Sequence, residues 1–229
     1  MVRSGFTSLI LSAVCVLALG ACSSNNDKLD AMTGWLGPLA QFTRVSGDGN
    51  RGVFLGPATT PAAPVETLYI PPVDVTLSPQ SALEALLPAE FEEIRGLLDR
   101  RVRELLAKEF KIVSGPGPDA YTLRVALTNL VVKRVGNTAR ARSRDDLRFG
   151  FGVAAIESEI RDGTTNGRRA VTAAPLATAQ NRLATADVTW TGLPAQLDRF
   201  AAALAEQIAA ARTALAAEPA ARDAPPQKP

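Results

Sequence analysis

YTLRVALTNLVVKRV, residues 121–135, decides the fold of this chain. Tyr121, Leu123, Val125 and Leu127 alternate with Thr122, Arg124, Ala126 and Thr128. Successive side chains of a strand point to opposite faces, so the stretch reads as a strand with one apolar face and one wet face. An apolar sheet face needs a second layer to cover it. The neighbouring sequence supplies that layer on both sides.

Upstream, "FKIV" at 110–113 reads as a short strand and "SGPGPDA" at 114–120 as a turn. Its prolines lack the amide hydrogens a phosphate needs, and neither this turn nor "SGDGNRG" at 46–52 is followed by the lysine and serine or threonine of a phosphate loop. Before the strand, residues 88–110 place Phe91, Ile94, Leu98, Val102, Leu105 and Leu106 at steps of three and four. That spacing predicts a helix over 88–109, about 33 Å long, with Pro88 in its first turn and Glu90, Glu92 and Glu93 at the positive end of its dipole. "VETLYIPPVDV", 65–75, is a strand whose Pro71 and Pro72 put it at an edge, a bulge or a strand end. Glycine, proline and threonine over 47–64 argue for irregular backbone. Leu29, Met32, Trp35, Leu36, Leu39 and Phe42 form an arm able to pack on the domain.

Downstream, residues 133–148 gather Lys133, Arg134, Arg140, Arg142, Arg144 and Arg148 with Asp145 and Asp146. This is a solvated loop between strands in its plain reading, and a patch for acidic lipid headgroups or lipopolysaccharide phosphates in its functional one. "RFGFGVAAIESEIRD", 148–162, is a further strand, with Ile156, Ser158 and Ile160 opposing Glu157 and Glu159. "GTTNG", 163–167, is hairpin chemistry, and 168–178 returns antiparallel. A second helix over 193–217 carries Leu193, Leu197, Phe200, Leu204, Ile208, Ala211 and Leu215 on one stripe, and its alanines favour both helix and close packing. The expected fold is α+β: a mixed, mostly antiparallel sheet of four or five strands with two long helices on one face, in one domain over 65–217. The proline-rich end, 218–229, reads as a disordered tail.

The amino terminus carries a different signal. After Arg3, no charged residue occurs from Gly5 to Ala21, and Leu9, Ile10, Leu11, Val14, Val16, Leu17 and Leu19 form an apolar centre. A polar sequence follows, so 1–21 reads as a cleaved secretory signal rather than a membrane span. In closing on Leu19, Gly20, Ala21 and Cys22 it resembles the lipobox of bacterial lipoproteins. That resemblance implies cleavage between Ala21 and Cys22, a diacylglycerol on the Cys22 thiol, and an acylated new terminus. Several acyl chains, at about 0.8 kcal/mol per buried CH₂, hold a protein to a bilayer durably. Ser23, where retained lipoproteins have aspartate, implies sorting to the outer membrane. Residues 22–64 are then a lipidated tether and irregular arm.

Composition narrows the chemistry. The formal net charge is +2, so no strongly charged global partner is indicated. There are two cysteines and no histidine. Cys15 leaves with the signal and Cys22 is consumed by lipid, which removes disulfides, imidazole catalysis, and zinc or iron sites built on imidazole or thiolate. No cofactor is implied. What remains for an enzyme is carboxylate chemistry, with Glu157, Glu159 and Asp162 as candidates; the plainer reading of the glutamate pair is the wet face of a half-covered sheet. Export and the lack of interleaved aromatic residues argue against nucleic acid.

"TLYIPPVDV" ahead of a long helix, "FKIVSGPGPDAYTLRVALTNL", and "IESEIRDGTTNGR" together resemble the bacterial lipoproteins classed as domain of unknown function 3313, over 29–215. Asn129 stands where aspartate is the more usual residue. The family carries no established activity, so the resemblance implies no catalytic residues. The expectation is a non-enzymatic, periplasm-facing module at the outer membrane that binds an envelope protein, peptidoglycan or lipid, or assists assembly or transport. The sheet edge near Pro71 and the surface of the last helix are candidate contacts. A carboxylate-dependent envelope hydrolase and a lipid-carrying domain are the alternatives.

Overall fold

A computed structural model describes residues 35–47, 52–57, 63–77, 87–134, 147–150, 155–175 and 188–222. Strands β1 (Thr43–Ser46), β2 (Gly52–Leu55), β3 (Thr67–Tyr69) and β4 (Asp74–Leu77) precede helix α1 (Pro88–Leu106). Then come β5 (Lys111–Val113), β6 (Tyr121–Arg134), β7 (Leu147–Gly150), β8 (Ala155–Arg161), β9 (Arg168–Pro175), β10 (Val188–Thr189), a 3-10 turn at Trp190–Gly192, and helix α2 (Leu193–Arg222). The main sheet runs β1-β2-β9-β8-β6-β3-β5, with β4 also on β6. Pairings of β3 with β5 and β6, and of β4 with β6, are parallel; those of β1, β2, β9, β8 and β6 are antiparallel. The far half of β6 leaves β8 and pairs with β7, which pairs with β10.

The chain is α+β with two helices and a mixed, mostly antiparallel sheet, but the sheet has about eight strands rather than four or five. Two of the added strands come from sequence read as arm and irregular backbone. Gly52–Leu55 forms β2 because β9 presents a free edge to it, pairing Phe54 with Val171, and β1 then pairs onto β2. A third is gained where the diproline divides 65–75 in two. Pro71 and Pro72 cannot extend a ladder, so β3 and β4 meet successive parts of β6. The backbone groups flanking the prolines are met by α1: Arg103 donates to the Ile70 carbonyl, and Asp99 accepts from the Val73 amide at 3.3 Å. Arg103 and Asp99 are themselves paired at 2.8 Å. The edge near Pro71, expected as a contact surface, is therefore served by a helix.

Both helices cover one face. From α1, Ile94, Leu98, Val102 and Leu106 are buried, with Phe91 and Leu105 partly so; from α2 the whole stripe from Leu193 to Leu215 is buried. They meet Leu123, Val125, Leu127, Ile156, Ile160, Ala170 and Ala174 of the sheet in one continuous core. The carboxylate of Glu90 accepts from the Leu87 amide at 2.8 Å, satisfying one of the donors orphaned at the start of α1. The second helix continues through Pro219 to Arg222, so residues 218–222, expected as the start of a tail, are helical; residues 223–229 lie outside those described. Among the described residues no helix is long and apolar enough to cross a membrane.

Strand β6 is irregular near its middle. Asn129 has φ of 56°, a left-handed conformation that asparagine tolerates better than most residues, and the register against β4 shifts across it. The extra residue lets Leu127 and Leu130, three apart in one strand, both enter the helix-side core.

Candidate functional site

The opposite face of the sheet was expected to be wet. It is instead crossed by the arm. Leu36, Leu39 and Phe42 are buried against Phe54, Val171 and Ala173 in a second apolar cluster, with Trp35 packed beside it. Glu157 and Glu159, two apart on β8, do share this face as their spacing required, but they are 0% and 3% exposed. The cause is plain: the arm supplies a cover that the strand's own sequence does not reveal.

Glu159 is the centre of a cluster drawn from three strands. Arg124 of β6 lies directly across the antiparallel ladder and donates from Nη1 to Oε1 at 2.7 Å. Arg161, two residues along β8, donates from Nε to the same oxygen at 2.8 Å. Arg168, at the start of β9, pairs through Nε with Oε2 at 2.9 Å. Arg124 also reaches Asp74 on β4 at 3.4 Å, and Asp74 accepts from the Trp35 indole at 3.2 Å. The arm brackets the cluster at both ends, its Trp35 ring 5.0 Å from the Arg124 guanidinium and its Phe42 ring 4.8 Å from that of Arg168. Burial pushes the Arg168 guanidinium below its ordinary pKa, against the attraction of Glu159, and the like charges of Arg161 and Arg124 act in the same direction as burial.

Of the three carboxylates singled out in the sequence, Glu159 thus has Oε1 hydrogen-bonded by Arg124 and Arg161 and Oε2 in an ion pair with Arg168. Glu157 accepts from the buried Thr128 hydroxyl. Asp162 stands apart in the β8–β9 hairpin, where one oxygen accepts from the Thr164 and Thr165 amides at 3.0 and 2.8 Å and from the Thr165 hydroxyl at 3.1 Å. The hairpin expected at 163–167 forms, with Asn166 at φ of 56° and its amide donating to the Asp162 carbonyl. Each of the three carboxylates is thus held by partners of its own: arginines for Glu159, Thr128 for Glu157 and the hairpin turn for Asp162. Among the described residues, no group of three or more acidic, histidine or cysteine side chains is arranged to hold a metal ion.

The Asp162 turn gives a pH prediction. The Thr165 amide, then those of Thr164 and the Thr165 hydroxyl, hold its carboxyl below the ordinary value in spite of partial desolvation. A depressed folded pKa stabilises the fold above the unfolded carboxylate value of about 3.9 and loses that contribution as pH falls through the folded value. Asp162→Asn is expected to cost at most about 1 kcal/mol at pH 6, the turn being exposed. The difference from wild type should shrink towards pH 2, as read from urea midpoints across that range.

The sequence missed the arginine cluster because its members lie far apart in the chain. The basic run it did mark, 133–148, contributes Lys133 opposite Arg148 in the β6–β7 ladder, while residues 135–146 lie outside those described. Ala21 and Cys22 also lie outside them.

A family model described as "Protein of unknown function (DUF3313)" matches residues 31–217. No curated protein matches the sequence. Among solved structures, the chain is similar to the PelC dodecamer from Paraburkholderia phytofirmans, at 10% identity over 75% of this chain and 96% of that one, with a TM-score of 0.32. It is also similar to a minor lipoprotein from Acinetobacter baumannii, at 15% identity over 65% of this chain and 93% of that one, with a TM-score of 0.31.

Proposed function

This chain belongs to the DUF3313 family, and we propose that it is a lipid-anchored, non-enzymatic binding module of the bacterial envelope, held by Cys22 at the periplasmic face of the outer membrane. The observation that carries this reading is the uncharged apolar run ending in Leu19, Gly20, Ala21 and Cys22. An anchored domain needs only modest intrinsic affinity, since confinement raises its effective concentration near envelope partners. Those partners are an envelope protein, peptidoglycan or lipid.

Two features favour binding over hydrolysis. Both oxygens of Glu159 are occupied by arginines, and Asp162 is committed to its turn. The sheet–helix interface is filled by side chains buried to within a few per cent of completely, which favours recognition at a surface over carriage of a lipid inside.

The test is localisation. Wild type is expected in the membrane pellet after a high-salt wash, with a first peptide of acylated mass beginning at Cys22. Cys22→Ala is expected to lose both the acyl mass and cleavage before residue 22. An unmodified mature terminus in wild type would overturn the proposal. In-cell crosslinking from the domain surface would then identify the partner.

A further inference from the structure

The arginine cluster offers more donors than its carboxylates take up. Three guanidiniums from β6, β8 and β9 share Glu159. Beyond it, the contacts are long: Arg124 to Asp74 at 3.4 Å and Arg161 to the Asn166 carbonyl at 3.4 Å. Arg168 Nε and Nη2 are both buried without a hydrogen-bond partner among the described residues, Nε being held to Glu159 by ion pairing at 2.9 Å. A guanidinium carries five N–H donors in a rigid fork, and leaving a buried donor unmet is costly. The cluster nevertheless reaches solvent, the side chains of Arg124, Arg161 and Arg168 being 41%, 24% and 21% exposed, although Arg168 Nη2 itself is covered. The rings of Trp35 and Phe42 lie over Arg124 and Arg168, which limits how those guanidiniums can turn.

We propose that Arg124, Arg161 and Arg168 form a phosphate-binding site on the arm side of the sheet. A phosphate group suits the arrangement better than a second carboxylate, because its tetrahedral oxygens accept from several directions and arginine forks match it bidentately. Glu159 gathers and orients the arginines, and the anion takes the donors that Glu159 leaves. The site does not depend on the anchor at Cys22, so its fate and that of the localisation proposal are separable.

Trp35 reports on the site directly. The chain has two tryptophans, so in full-length Trp190→Phe protein, purified in detergent, Trp35 is the sole indole emitter. Titration with inorganic phosphate at fixed ionic strength, against chloride, is expected to change its emission saturably and to raise the melting temperature. Arg161→Gln is expected to weaken binding by tenfold or more, and Arg161→Lys, which keeps the charge but not the fork, by less. The same protein in vesicles of phosphatidylglycerol and of phosphatidylcholine distinguishes the source of the phosphate. A response to free phosphate supports a soluble ligand, whereas a response confined to phosphatidylglycerol supports a lipid headgroup. No response beyond chloride in either arm, or undiminished binding by folded Arg161→Gln, would overturn the site and leave the cluster as a purely structural network.

Discussion

Glu159→Ala is expected to destabilise the fold by about 3 kcal/mol, a drop in Tm of roughly 6–12 °C for a chain of this size. The alanine leaves three guanidiniums facing one another under the arm, with Asp74 the remaining carboxylate in reach of Arg124 among the described residues. Removing one partner of a buried pair costs about 3–5 kcal/mol because the other charge stays desolvated. The arginines here retain partial exposure, which places the expectation at the low end of that range. Urea unfolding measures it, with the midpoint moving and the slope unchanged. Glu159→Gln, which keeps an acceptor but not the charge, should fall between. Adding Arg168→Met to Glu159→Ala should restore part of the loss, since it removes the most buried of the orphaned charges. A loss below about 1 kcal/mol for Glu159→Ala would mean that the guanidiniums simply rehydrate, and the cluster would then contribute little to holding the arm.

What the sequence made legible is what rests on period. The alternation from Tyr121 to Leu127 and the stripes of α1 and α2 each repeat over enough residues to be read, and those positions are buried except for Phe91 and Leu105, which are partly so. β1 and β2 are four residues each, too short for a period to show, and they sit among glycines and prolines. They are strands because β9 has an edge to offer and because Phe54 buries against Leu36, Leu39 and Phe42, which is tertiary information. The same gap explains the site. Glu157 and Glu159 had to share a face, and they do. That the face is covered, and that Arg124 lies across from Glu159, depends on the arm and on a strand register, and neither is written in the local sequence. Arg124, Arg161 and Arg168 lacked the one mark a sequence shows readily, which is adjacency.

Gly163→Ala is expected to cost about 2–3 kcal/mol, where Gly117→Ala costs less than about 0.5 kcal/mol. A Cβ on Gly163 would stand 2.2 Å from the Ala120 carbonyl oxygen and 2.3 Å from that of Gly117, both backbone atoms with no rotamer to move. A Cβ on Gly117 itself would meet nothing within 4 Å. The clash therefore lies in the close approach of the β8–β9 hairpin to the turn that leads into β6, a contact also bridged by Thr164 donating to the Pro118 carbonyl at 3.5 Å. To admit the methyl, the hairpin must lift from the turn. Arg161 and Arg168 stand at the two feet of that hairpin, so lifting it pulls their side chains away from Glu159. Two measurements separate such lifting from a merely local clash. Gly163→Ala and Glu159→Ala should be less than additive, because the first already loosens what the second removes. Trp35 emission should also shift in Gly163→Ala, since Arg124, which shares Glu159 with both arginines, carries the disturbance to the indole above it. If the two glycine variants instead melt together and Trp35 does not respond, the hairpin does not bear on the turn, and the ring of arginines is held by the strands alone.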